Sequence, residues 1–158
     1  MAAKPKIAKR ENTCQAKLVS TQLQKLSVIT LLAPEDSGKG TLELAIKTTR
    51  VPKEKEQNTV VIRLDLKGKG LTGGKNSNQE DKTAFTVDAT IDGNFSLPHK
   101  PTAVELEGCD PYLANYLMPI LSDMVETLLS KCGYIGIALP RSFEMKSEPA
   151  AAVVTKQK

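Results

Sequence analysis

The chain has 158 residues, 40% of them hydrophobic, 4% aromatic and none tryptophan, with a formal charge of +4. That length fits one domain with a modest core, and no apolar run approaches the ~18 residues of a membrane-spanning helix. Of the +4, residues 1–10 contribute +4 and residues 145–158 another +2, which leaves −2 on the body, so the basic charge sits on the ends and argues against a nucleic-acid binder.

The N-terminus, MAAKPKIAKR, is basic but no apolar stretch follows it, so it does not read as a secretory signal and a cytoplasmic protein is expected. Residues 1–12 and 145–158 read as flexible tails around a single domain at 13–144. Cys14, Cys109 and Cys132 are odd in number, far apart and in no metal-ligand spacing, so reduced thiols are expected.

From Cys14 to Ala33 the chain is rich in Val, Ile, Leu and Thr and reads as extended, ending at Pro34 and the turn-rich EDSGKG. Three cleaner strands follow. Leu42, Leu44 and Ile46 alternate with Glu43, Ala45 and Lys47; Val60, Ile62, Leu64 and Leu66 alternate with Val61, Arg63, Asp65 and Lys67; Phe85, Val87, Ala89 and Ile91 alternate with Thr86, Asp88, Thr90 and Asp92. A period of two puts one face of an antiparallel sheet in the core and the other in water. VPKEKEQN and KGKGLTGGKNSNQEDK are the hairpin connections, the second a long tip. Its G-K dipeptides lack the G-x-x-x-x-G-K-[ST] spacing and the strand-to-helix context of a phosphate loop.

Gly93, Phe95 and Leu97 end the last strand, and PHKPTAVELEG reads as an irregular crossover. His99, the single histidine, reads as a solvated loop residue. Asp110 as N-cap and Pro111 at the first helical position mark the start of a long helix, with Gly133 closing it. Its apolar stripe runs through Leu113, Tyr116, Leu117, Ile120, Leu121, Met124, Val125, Leu128 and Leu129; Asn115, Ser122, Asp123, Glu126 and Thr127 make up most of the polar remainder, and Pro119 is expected to kink it. Tyr134, Ile135, Ile137 and Leu139 form a compact apolar segment, after which a short helix is expected near Ser142.

The fold class is therefore α+β, a four-stranded antiparallel sheet covered on one face by a long helix. No pair of carboxylates converges by spacing, no Cys/His cluster exists, and a lone histidine makes neither a triad nor a metal site, so the chain reads as no enzyme and with no cofactor. The stripe is wider than one small sheet can cover, which predicts association, and strand one offers an edge for it.

The order of parts resembles the SecB family of export chaperones: four strands, a crossover, a helix with N-x-L-[FM]-P near its start, and a Gly-aromatic-x-x-[LI]-x-L-P segment. The likeness rests on Gly93, Phe95 and Ser96, on Asn115-Tyr116-Leu117-Met118-Pro119, on Met124 and Val125, on Ser130 to Tyr134, and on Ile137-Ala138-Leu139-Pro140 with Phe143. It spans roughly residues 14–143 and is specific in the helix. It implies a dimer of dimers paired through strand one with helices sandwiched between sheets, no ATPase activity, and apolar grooves that hold unfolded or nascent preproteins for translocation. Members that dock SecA carry acids in strand one; here Val28 and Leu32 stand there, which leaves SecA docking open, along with specialisation for one client such as a toxin–antitoxin pair.

On this reading Leu97, Val104, Leu106, Tyr134, Ile135, Ile137, Leu139 and Phe143 line a groove for an unfolded client, while Tyr116, Ile120, Met124, Val125 and Leu128 serve core and subunit packing. Two alternatives stay beside it: an oligomeric adaptor for one folded partner, and a binder of a small apolar ligand, against which the low aromatic content argues.

Overall fold

A computed structural model describes residues 14–53, 58–73 and 81–144. The expected tails, and the centres of both hairpin connections at 54–57 and 74–80, lie outside those residues. Strands β1 (Lys17–Thr30), β2 (Gly40–Val51), β3 (Thr59–Thr72) and β4 (Lys82–Ser96) form one antiparallel sheet in the order β1-β4-β3-β2. A single helical turn, α1 (Pro34–Ser37), stands in the segment expected to be a simple turn, and the long helix α2 (Ala103–Lys131) covers one face.

The alternation predicted for β2, β3 and β4 sets the two faces. Leu44, Ile46, Ile62, Leu64, Leu66, Val87, Ala89, Ile91 and Phe95 are buried beneath the helix. The opposite face is polar and held by cross-strand pairs: Arg63 grips Asp92 with two hydrogen bonds of 2.7 and 2.8 Å, Lys25 pairs with Asp88, and the Thr90 hydroxyl donates to Asp65. β3 runs through Lys67–Thr72, so this part of the expected hairpin tip is strand, with Gly68 and Gly70 on the covered face. Glycine disguises the period there. At Gly70 a Cβ would collide with the ring of its register partner Phe85, so the strand continues only because that side chain is missing.

α2 begins eight residues before the expected start at Asp110–Pro111. Thr102 is the N-cap: its Oγ1 accepts from the Glu105 N–H at 3.3 Å, and the Glu105 carboxylate accepts from the Thr102 N–H at 2.8 Å. This reciprocal T-x-x-E box satisfies two otherwise orphan donors. Leu106, Cys109, Leu113 and Leu117 then continue one helical stripe. Pro111 and Pro119 both lie inside the same continuous helix. At the other end Gly133 takes a φ of 93°, with Gly133 N–H donating to Ser130 O and Tyr134 N–H to Leu129 O, the paired closure that a left-handed residue permits.

The thiol expectation is corrected for two of the three cysteines. Cys14 and Cys109 form a disulfide with Cα atoms 5.4 Å apart, and Cys132 is free. Residues 95 positions apart meet because β1 and α2 both begin at the same end of the sheet. Residues 141–144 are not helical, so no helix opens at Ser142 within the described chain.

Candidate functional site

α2 presents three ridges with different fates. Leu113, Leu117, Leu121, Val125 and Leu129 face the sheet and are at most 1% exposed. One flank carries Asn115, Ser122 and Glu126, and here the chain after the helix folds back as a strap. Ser122 Oγ donates to Pro140 O at 2.8 Å, Glu126 Oε1 accepts from the Leu139 N–H at 2.6 Å, and Asn115 bonds Phe143 in both directions. Arg141 closes the clasp with ion pairs to Asp123 and Glu126. Of the polar set Asn115, Ser122, Asp123, Glu126 and Thr127, all but Thr127 thus fasten residues 139–143 to the helix.

Among the described residues, no segment of the chain after the helix covers the opposite flank. Tyr112, Tyr116, Ile120, Met124 and Leu128 form an i, i+4 ridge beside the edge strand β1. Tyr116 is 60% exposed; Ile120, Met124 and Leu128 are half-buried. Leu26 of β1 and Met124 and Leu128 of α2 line a shallow groove of about 360 Å³ along this seam. Of the five helix residues expected in core and subunit packing, Val125 alone is fully in the core.

The eight expected groove residues fall at different places. Leu97, Val104 and Leu106 lie at the end of the sheet where α2 begins, Leu97 and Leu106 partly covered and Val104 74% exposed. Tyr134, Ile135 and Ile137 lie at the far end. Phe85 marks that end and Phe95 the near one, and the ten residue steps along β4 from one to the other span ~34 Å. Leu139 and Phe143 point from the strap into the core, 4% and 7% exposed.

At the far end Tyr134, Ile135 and Ile137 line a cleft of about 430 Å³, completed by Pro34, Leu42 and Phe85 among others. Pro34 and the segment Gly38–Leu42 come from a part of the chain to which sequence assigned only turn and strand. Tyr134 is the pillar of the cleft. Its hydroxyl is within hydrogen-bond distance of Leu32 O (2.6 Å) and Ala84 O (3.1 Å), its ring packs on Phe85, and burial pushes its pKa up. Ile135, 83% exposed, stands at the mouth.

The remaining chemistry is sparse. His99 is exposed and 3.4 Å from Glu105, whose carboxyl is held below its ordinary range chiefly by the Thr102 N–H and then by His99. Among the described residues no three His, Cys, Asp or Glu side chains gather as metal ligands, and no helix is long and apolar enough to cross a membrane.

No protein-family profile and no curated protein matches the sequence. Among solved structures, the chain is similar to the Mycobacterium tuberculosis Rv1957 SecB-like chaperone, solved in complex with a ChAD peptide from the Rv1956 HigA1 antitoxin. The TM-score is 0.64 and the identity 18%, over 79% of this chain and 89% of that one. A Streptococcus agalactiae protein of unknown function matches more loosely, at TM-score 0.40 and 12% identity over 80% of this chain and 97% of that one. The fold of the chain is SecB-like.

Proposed function

We propose that the protein is a passive, ATP-independent chaperone that holds unfolded polypeptide on apolar surface. The observation that carries this reading is the cleft at the far end with Ile135 at its mouth, built from a clasped strap and offering apolar side chains to solvent. An incoming apolar side chain gains roughly 25 cal/mol per Å² it buries there. The open edge of β2, whose Gly40–Leu42 borders the same cleft, gives an extended client backbone a row of partners. The SecB-like fold adds support, since the similar Rv1957 protein is a chaperone solved with a bound peptide.

In this reading the clients are unfolded or nascent chains on their way to translocation, and the protein works in the cytosol. A client track would run from the cleft along the strap toward Leu97, Val104 and Leu106. The uncovered seam of β1 and α2 takes a sister copy, as a dimer and then a dimer of dimers. SecA docking is not part of the proposal: Val28 and Leu32 stand where the resemblance expects acids, and both pack against the core.

A second reading is a dedicated chaperone for one partner, favoured by the antitoxin peptide in the similar structure. The two part in one experiment. Suppression of aggregation of several unrelated unfolded proteins at stoichiometric ratio without ATP supports the general holdase. Protection of a single partner and no other supports the dedicated one.

A further inference from the structure

We propose that Cys14 and Cys109 form a thiol–disulfide exchange site whose oxidation state sets the order of the first half of β1 and the first two turns of α2. The proposal rests on the cytosolic location in the reading above, because disulfides there are usually transient and redox-sensing rather than permanent.

Besides this bond, the first half of β1 is held by its ladder to β4, by Ala16 against the core and by a Gln24–Asp92 hydrogen bond, with no large side chain of Lys17–Lys25 in the core. Cys14 lies three residues before β1, and Lys17–Lys25 is exposed throughout. The strand is an edge, and its pairing with β4 slips between Leu18 and Ser20 and again between Leu23 and Lys25. The other half of β1 is better anchored: Leu26 and Val28 pack on the core, and the Leu31 and Leu32 N–H groups both donate to Ala84 O. In α2, residues 103–107 contribute only a half-buried Leu106, and their attachment is the capping box with the Arg50–Asp110 ion pair nearby. The disulfide therefore joins two weakly held segments at one end of an otherwise packed domain.

The more exposed of the two residues is the point of entry. Cys14 is partly exposed and Cys109 is 9% exposed. A thiolate of a dithiol reductant attacks Cys14 Sγ, the S–S bond breaks, and Cys109 leaves as a thiolate that takes a proton. The second thiol of the reductant then displaces Cys14, so two electrons and two protons pass to the protein and the reductant becomes a disulfide. A low-molecular-weight disulfide such as oxidised glutathione reverses the sequence. With the bond open, Leu18, Val104 and Leu106 gain freedom and apolar exposure at this end.

Hydrogen exchange of the full chain, followed by mass spectrometry in oxidised glutathione and then in dithiothreitol, tests the proposal without any client, so its outcome is separate from that of the chaperone reading. Alkylation should count only Cys132 as reactive in the oxidised protein and all three cysteines in the reduced one. Exchange should rise severalfold in residues 14–25 and 103–110 on reduction and stay unchanged at Ile62–Leu66 and at Phe85–Val87, whose β1 partners lie in the anchored half. Cys14→Ser should show the reduced pattern in both buffers, and Cys132→Ser should keep the difference. Three reactive thiols under oxidised glutathione, identical exchange in the two states, or a rise spread over the whole sheet would each overturn it.

Discussion

Asn115 and Phe143 are joined in both directions across 28 positions: the Asn115 amide donates to Phe143 O at 3.1 Å, and its oxygen accepts from Phe143 N–H at 2.9 Å. One side chain thereby satisfies both backbone groups of the residue that plugs the end of the strap into the core. Asn115→Ala leaves those groups half-buried and unpaired, and it should cost about 1–3 kcal/mol. Urea unfolding should show a lower midpoint at unchanged slope.

Tyr134→Phe should separate the pillar's polar handle from its ring. The ring contact with Phe85 survives, while Leu32 O loses its 2.6 Å partner; Ala84 O keeps its bonds from Leu31 and Leu32. A loss of about 1 kcal/mol by thermal or urea unfolding is expected. The same variant should loosen the Leu32–Pro34 wall of the cleft, read as faster hydrogen exchange there.

The start of α2 should be sensitive to acid. Glu105 has its folded pKa lowered, first by the Thr102 backbone N–H and then by His99 and the Thr102 hydroxyl. Its contribution is therefore fully present above the ordinary Glu value of ~4.3 and is lost as pH falls through the lower folded value. Exchange of the 103–107 amides should rise across that window in the wild type, and Glu105→Gln should flatten the dependence.

The uncovered ridge supplies a test that spares the fold. Tyr116 is 60% exposed, so Tyr116→Lys should change the stability of an isolated subunit by no more than ~0.5 kcal/mol. If the seam of β1 and α2 takes a second copy, Tyr116→Lys combined with Tyr112→Lys, at a residue 57% exposed on the same ridge, should lower the solution mass by light scattering while far-UV circular dichroism stays the same.

The sheet was legible where alternation is carried by large side chains, as at Val60–Leu66 and Phe85–Ile91. It was not legible through Gly68 and Gly70, where the buried partner is a neighbour's ring and the residue itself has no side chain to signal burial. The early start of α2 carried a readable sign, Thr102-x-x-Glu105, which the prolines at 98, 101 and 111 outweighed in the sequence reading. The Cys14–Cys109 bond depends on which ends of β1 and α2 meet, a tertiary fact that a sequence separation of 95 conceals. Tyr134, Ile135 and Ile137 were legible as an apolar cluster near the helix end. That Leu139 and Phe143 are anchors of a strap was not, because Asn115, Ser122 and Glu126 carry the same polar signature whether they face water or a folded-back chain.

The most direct measurement is light scattering of two unrelated chemically denatured proteins diluted into this one, without nucleotide, alongside an Ile135→Asp variant. Ile135 is 83% exposed, so the charge leaves the fold intact while it spoils the mouth of the cleft. Suppression of both aggregations near equimolar ratio by the wild type, with clear weakening in the variant, is the predicted result. Aggregation of both proteins at the rate seen without it would contradict the account.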